Sequence, residues 1–182
     1  SYNSIIGNNI TANGENGGVW LDFSSNNSVI GNNIADNNDG IVLCGPWNNT
    51  ITDNNIAANH GDGIRLTSSR NNRIFHNNFV ENQQSVHIWK SYGNLWDDGY
   101  PSGGNYWSDC TDIDNCRGHY QNEIGSDGIG DTPYAIDGNN TDNYPLMGMF
   151  YNYNVSYVKQ GLMINIISNS TVSNFVLGIS IQ

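Results

Sequence analysis

Asn27-Ser-Val-Ile-Gly-Asn-Asn-Ile34 is the stretch that decides the fold, because the chain repeats it. Asn3-Ser-Ile-Ile-Gly-Asn-Asn-Ile10 precedes it, and Asn49-Thr-Ile-Thr-Asp-Asn-Asn-Ile56 and Asn72-Arg-Ile-Phe-His-Asn-Asn-Phe79 follow, at steps of 24, 22 and 23 residues. A second block keeps the same step: Gly18-Val-Trp-Leu21, Gly40-Ile-Val-Leu43, Gly63-Ile-Arg-Leu66 and Ser85-Val-His-Ile88. Two blocks agreeing over four copies define a solenoid. Coils this short, built of β-branched runs between Asn and Gly, cannot be helix-pair repeats, and they lack the fixed Leu offsets of a leucine-rich repeat. They fit an all-β parallel β-helix of about four to five coils, each of three short strands, stacked about 4.8 Å apart.

Stacking turns equivalent positions into columns. Ile5/Val29/Ile51/Ile74, Ile10/Ile34/Ile56/Phe79, Val19/Ile41/Ile64/Val86 and Leu21/Leu43/Leu66/Ile88 are apolar in every coil and should face inward. Asn8/Asn32/Asn54/Asn77 and Asn13/Asn37/Asn59/Asn82 fall at the bends, where Asn tolerates left-handed backbone and its amide can bond the coils above and below. Composition agrees. The 182 residues include 33 Asn and 21 Gly but only 6 Lys+Arg, which disfavours helices stabilised by Glu/Lys pairs. A net charge of −11 argues against nucleic-acid binding, since such a chain repels phosphates. No apolar run is long enough to span a membrane as a helix.

Between the inward columns lies an outward face, Trp20/Val42/Arg65/His87 and then Asp22/Cys44/Thr67/Trp89. Flat repeat surfaces are where such arrays bind. Trp20, Arg65, His87 and Trp89 are therefore the candidate ligand or partner face, with the Trp rings for stacking and Arg65 as donor. The plainer reading is a solvated wall. Four of the six Lys+Arg fall between 60 and 90, beside His60, His76 and His87.

After position 93 the repeat gives way to Gly103-Gly-Asn-Tyr-Trp-Ser-Asp109, Asp127-Gly-Ile-Gly-Asp-Thr-Pro-Tyr134 and Asp142-Asn-Tyr-Pro-Leu146. With the coils before them, these closing segments resemble the CASH/NosD-like β-helix family, of a type abundant among secreted archaeal surface proteins. The resemblance covers residues 1 to about 147. It implies a right-handed parallel β-helix and, from the bacterial members, an accessory role in copper-site maturation of nitrous oxide reductase alongside a membrane transporter. The residues themselves show no Met-rich stretch and no His cluster at metal-ligand spacing. Physically, the aromatic segment reads as a cap over the open core. Three regions follow: coils over 1–93, an Asp/Gly-rich cap over 94–147, and β-strands of a partial sandwich-like segment over 148–182.

Within the cap, Asp112, Asp114, Asp127 and Asp131 are the candidate calcium ligands, calcium being the one cofactor the residues raise. The alternative is that they bond backbone amides at turns. Cys110 and Cys116 bracket a short loop and are expected to form a disulfide, which leaves Cys44 without a mate. Asn9, Asn26, Asn48, Asn139, Asn154 and Asn169 stand in glycosylation sequons, about as many as chance gives in a chain this rich in Asn. No complete catalytic constellation is readable; Asp97-Asp98 and His60-Gly-Asp62 are only fragments of one. The expected function is thus a non-enzymatic extracellular or cell-surface module, structural or adhesive. Its expected partners are copies of itself stacked head-to-tail, other surface proteins, or a polysaccharide. The alternatives are a saccharide-binding or carbohydrate-active β-helix and the copper accessory role of the family.

Overall fold

A computed structural model describes residues 2–14 and 17–151. Coil 1 carries β1 (Ser4–Ile6), β2 (Asn9–Thr11) and β3 (Val19–Asp22), and coil 2 carries β4 (Ser28–Ile30), β5 (Asn33–Ala35) and β6 (Ile41–Cys44). Coil 3 has β7 (Thr50–Thr52), β8 (Asn55–Ala57) and β9 (Asp62–Thr67); coil 4 has β10 (Arg73–Phe75), β11 (Asn78–Val80) and β12 (Gln84–Trp89). Strands one coil apart pair in parallel, giving three sheets: β1-β4-β7-β10, β2-β5-β8-β11 and β3-β6-β9-β12. The registers are those of the repeat, with Ile5↔Val29, Ile34↔Ile56 and Leu43↔Leu66 opposed. The inward columns close into a single core that is almost completely buried from coil 2 onward. The described residues are all-β, a parallel solenoid of about four turns.

The Asn residues hold the coils together in a way that has a direction. At each step the backbone N–H and the side-chain Nδ2 of one Asn both donate to the Oδ1 of the Asn one coil on, as from Asn54 to Asn77 at 3.1 and 2.9 Å. The same Nδ2 reaches back to a carbonyl of the preceding coil, Asn54 to Val29 at 2.9 Å. One buried amide therefore ties three coils and satisfies groups that would be costly to bury unpaired. Asn8-Asn32-Asn54-Asn77 and Asn13-Asn37-Asn59-Asn82 form two such ladders. A third, Asn3-Asn27-Asn49-Asn72-Asn94, is built from the first letter of the repeat block itself.

One expectation needs correcting here. In the two ladders expected at the bends, Asn does not supply the left-handed backbone. That falls to the residue before each Asn: Gly7, Gly31, Asp53 and His76 in one column and Ala12, Asp36, Ala58 and Glu81 in another. Ordinary residues lose about 1 kcal/mol there, and the following Asn, turned inward, offsets the cost with its hydrogen bonds. Among the described Asn residues only Asn26, Asn48 and Asn71, at the bend after the third sheet, are themselves left-handed.

The cap starts as an incomplete fifth coil. Leu95 bridges to Arg73, and β13 (Tyr106–Trp107) pairs with β11, so the second sheet gains one more strand. Two short antiparallel pairs follow: β14 (Cys116–Arg117) with β15 (Glu123–Ile124), and β16 (Tyr134–Ala135) with β17 (Thr141–Asp142). Trp107 stacks on Phe79 at 4.3 Å and Tyr134 stacks on Trp107 at 4.4 Å, sealing the core with three flat rings. The ladder of coils 1–4 continues through Asn105 and ends on Asp142, whose Oδ2 accepts the Asn105 N–H at 2.7 Å and the Trp107 Nε1–H at 2.9 Å. A ladder that donates in one direction needs a terminal acceptor, and a carboxyl group has two oxygens with lone pairs to accept on, with or without its proton. Gly104 makes room for it, since a Cβ there would collide with the Asp142 carboxylate. These contacts give the closing segments their physical content. Of the expected C-terminal strand segment, 152–182 lies outside the described residues.

Candidate functional site

The third sheet places the candidate face as its register requires. Trp20, Val42, Arg65 and His87 form one outward row, and Asp22, Cys44, Thr67 and Trp89 the next. Trp20 and Trp89 stand on the outermost strands, β3 and β12, about 14 Å apart by strand spacing, and the residues between them in the two rows, Val42, Cys44, Arg65 and Thr67, supply no ring to bridge the gap. Val42, expected to point outward, is buried, and breaks the row between Trp20 and Arg65. Arg65 is already engaged at the surface: its Nε bonds Asp62 at 2.7 Å and its Nη2 lies 3.2 Å from Asp39, both carboxylates being buried. The Asp62 hydrogen bond raises the guanidinium above its ordinary value, so the charge is fixed and answers two buried anions. His87 and Trp89 remain exposed beside it. Burial, with Asp22 nearby, pushes the Cys44 thiol up and away from a reactive thiolate.

A second constellation went unread in the sequence. Ser102 Oγ lies 3.2 Å from His76 Nε2, and His76 Nδ1 lies 3.9 Å from Asp53, the order of a nucleophile, base and orienting acid. The proton placement speaks against catalysis. Nε2 is also 2.9 Å from the Ser102 carbonyl oxygen, which can only accept, so that nitrogen carries a hydrogen and cannot take one from Oγ. Ser102 Oγ donates instead to Asp98 at 3.1 Å. With Phe150 stacked on its ring at 4.1 Å, His76 clamps the cap loop to the bend between β10 and β11. The hint available in the sequence was that Asp53 and His76 occupy equivalent positions of consecutive coils. Nothing in the repeat could have announced Ser102, which comes from the cap.

The four candidate calcium ligands do not converge, and among the described residues no three His, Cys, Asp or Glu side chains group as a metal site. Asp114 accepts the amides of Asp127 and Gly128 and the Ser126 hydroxyl, and Asp131 accepts the amides of Asn115 and Cys116. Asp127 takes the Gly118 and Ile129 amides, and Asp112 the Thr132 amide. Partial burial alone would raise the Asp114 carboxyl, but those three donors outweigh it and hold it below the usual range. Their work is turn-capping. The expected disulfide is also absent: Cys110 and Cys116 are free thiols, Cys110 packed against the core and Cys116 held in β14 with its N–H on Asp131 at 2.9 Å. Of the sequon residues, Asn9, Asn48 and Asn139 are exposed, Asn26 is half-buried, and Asn154 and Asn169 lie outside the described residues.

A cleft of about 400 Å³ opens between the last bend and the cap, lined by Glu81, Gln84, Trp107, Asp109 and Tyr134. Both Asp109 oxygens lie 3.1 Å from the Tyr134 hydroxyl, and burial followed by the Asp109 charge drives that hydroxyl's pKa far upward. Tyr134 is thus a locked donor and Asp109 its acceptor.

Fold and face together define a β-solenoid wall with an apolar core, buried Asn ladders that hold the coils together, and polar and aromatic side chains on its outside. The family model for periplasmic copper-binding protein (NosD) matches residues 1–112, more than half of the chain, which belongs to that family. No curated protein and no solved structure matches it.

Proposed function

We propose that the chain is a non-catalytic β-helix module acting outside the cytoplasm, at the cell surface or in the extracellular space, with a structural or adhesive role. The observation that carries this is the laddered stack: buried amides tie every coil to the next and hold the outward face at fixed spacing. Such a wall holds side chains at fixed spacing without moving, which suits adhesion better than turnover. The periplasmic description of the family supports a place beyond the inner membrane. No helix among the described residues is long and apolar enough to cross a membrane.

The family's description also names copper, and the described residues do not fit a copper site. His60 pairs with Asp36, His76 with Asp53 and Ser102, and His119 with Tyr144, while His87 stands on the third sheet. His76 and His87 lie on different faces of the coil and cannot share a metal. Coil-on-coil association belongs to the same proposal. The next coil, from whichever chain supplies it, would extend β1, β2 and β3 together.

Fractionation and envelope binding test the proposal. The native protein should be recovered with the envelope or the medium, and labelled full-length chain should bind washed envelopes saturably while taking up no stoichiometric copper. Recovery in the cytosol with no envelope binding, or one tight copper per chain, would overturn it.

A further inference from the structure

From the bend that follows the third sheet, we infer a binding site for an acidic polysaccharide, made by Phe23, Trp47, Arg70, Trp89, Lys90 and Tyr92. The inference deepens the adhesive reading above and rests on it. These residues lie in three adjacent columns over four consecutive coils. Trp47, Arg70 and Tyr92 form one column, bridged in parallel. Phe23 and Lys90 share the left-handed column beside it, and Trp89 ends the strand before it. The aromatic rings are open to solvent, Phe23 by 83%, Tyr92 by 60%, Trp89 by 49% and Trp47 by 45%.

The chemistry is set by how the cations are held. Among the described residues, Arg65, Arg73 and Arg117 have carboxylate partners. Arg70 and Lys90 have none; they lie on aromatic faces instead. The Arg70 guanidinium sits 5.5 Å over the Trp47 ring and donates to the Tyr92 hydroxyl at 3.2 Å, and Lys90 Nζ sits 4.2 Å over the Trp89 ring. In a chain of net charge −11, two cations without counter-charge, fixed in an aromatic bed, make a local site for an anion. The bend fixes the Phe23 ring in place: Phe23 shares its left-handed column with Gly45, Ser68 and Lys90, and its ring lies so close to Gly45 that a Cβ there would sit 2.8 Å from two ring carbons.

A sugar polymer with carboxylates matches this surface best. Its ring faces stack on aromatics, its charges meet Arg70 and Lys90, and its repeat suits rings set about 10 Å apart, as Trp47 and Tyr92 are across two coils. A peptide strand finds less to hold. The bend amides of Phe23, Gly45 and Ser68 already donate to Cys44, Thr67 and Trp89 carbonyls, so no free edge offers main-chain pairing.

The test uses full-length protein made without N-glycosylation, since Asn26 and Asn48 stand on the same bend. Binding is measured to polygalacturonate, to dextran as the neutral polymer, and to poly-L-glutamate as charge without sugar rings. Polygalacturonate should bind, with dextran and poly-L-glutamate far weaker. Arg70→Gln and Lys90→Gln should each weaken binding about tenfold, as loss of a charge-assisted contact does, with unchanged melting. Trp89→Ala should weaken it too, and Trp47→Phe serves where Trp47→Ala unfolds. No polygalacturonate binding by wild type, equal binding of poly-L-glutamate, or indifference to Arg70→Gln and Lys90→Gln would overturn the site. Envelope binding run alongside separates the two proposals: retained, it leaves the adhesive reading standing without this site; lost as well, both fall.

Discussion

Asp142 gives the sharpest test of how the stack is closed. Its carboxyl is fully buried, and that burial pushes its pKa up to about 7 from 3.8, against the pull of the Asn105, Trp107 and Tyr144 N–H donors. The native state therefore keeps a proton that the unfolded chain has released. The stability this contributes is fully present below pH 3.8 and is lost as pH rises through about 7. The slope in that window is about 1.4 kcal/mol per pH unit, so between pH 5 and 8 the loss is on the order of 3 kcal/mol. Asp142→Asn removes the titration but keeps an oxygen for Asn105 and Trp107. It turns an amide NH₂ toward the Tyr144 N–H, a pH-independent cost of about 1–3 kcal/mol. Urea unfolding of both proteins at pH 5, 6, 7 and 8 isolates the carboxyl. Wild type should be the more stable at pH 5 and lose ground to the variant by on the order of 3 kcal/mol by pH 8. A difference constant to within about 0.5 kcal/mol across that range would refute the ladder terminus as drawn.

Further outcomes follow from the same contacts. Asn54→Ala removes an acceptor for two Asn32 donors and should cost about 2–4 kcal/mol in denaturant unfolding, while Asn55→Ala, one position away and facing outward, should cost under about 1. Arg65→Met strands the buried Asp39 and Asp62 and should destabilise by about 2 kcal/mol, whereas His87→Ala in the same row should stay within about 0.5. Melting should be indifferent to added calcium or chelator, because Asp112, Asp114, Asp127 and Asp131 each already accept a backbone amide and do not group around a common point; a calcium-dependent rise would restore the metal. Ser102→Ala should leave the fold intact and abolish no hydrolytic activity, since His76 Nε2 is a donor there.

The coils were readable because their information is periodic: Val29, Ile51 and Ile74 must face inward for the same reason, and each copy confirms the others. The third Asn ladder is equally present, as the opening Asn of every repeat block, but a residue at a block's edge carries no sign of which way it faces. The cap was different. Asp142 reaches Asn105 across 37 positions and Ser102 reaches His76 across 26, with no repeat to set the distance. Carboxylates that cap turns and carboxylates that bind calcium share one spelling, and only direction tells Asp114 apart from a ligand. The binding bend escaped notice for a related reason. Trp47, Arg70 and Tyr92 differ in type, so the column they share carries no pattern, and the outward rows of the third sheet looked like the natural face.

A heteronuclear NMR titration of the full-length chain with oligogalacturonate reaches the central claim most directly, because it reports wall and surface together. Perturbed resonances should cluster at Phe23, Trp47, Arg70, Trp89, Lys90 and Tyr92, while the side-chain amides of Asn32, Asn54 and Asn77 stay unshifted in a stack that does not move. Shifts centred on Trp20, Arg65 and His87 or on the cap cleft, or displaced ladder amides, would contradict a rigid wall that binds through its bend.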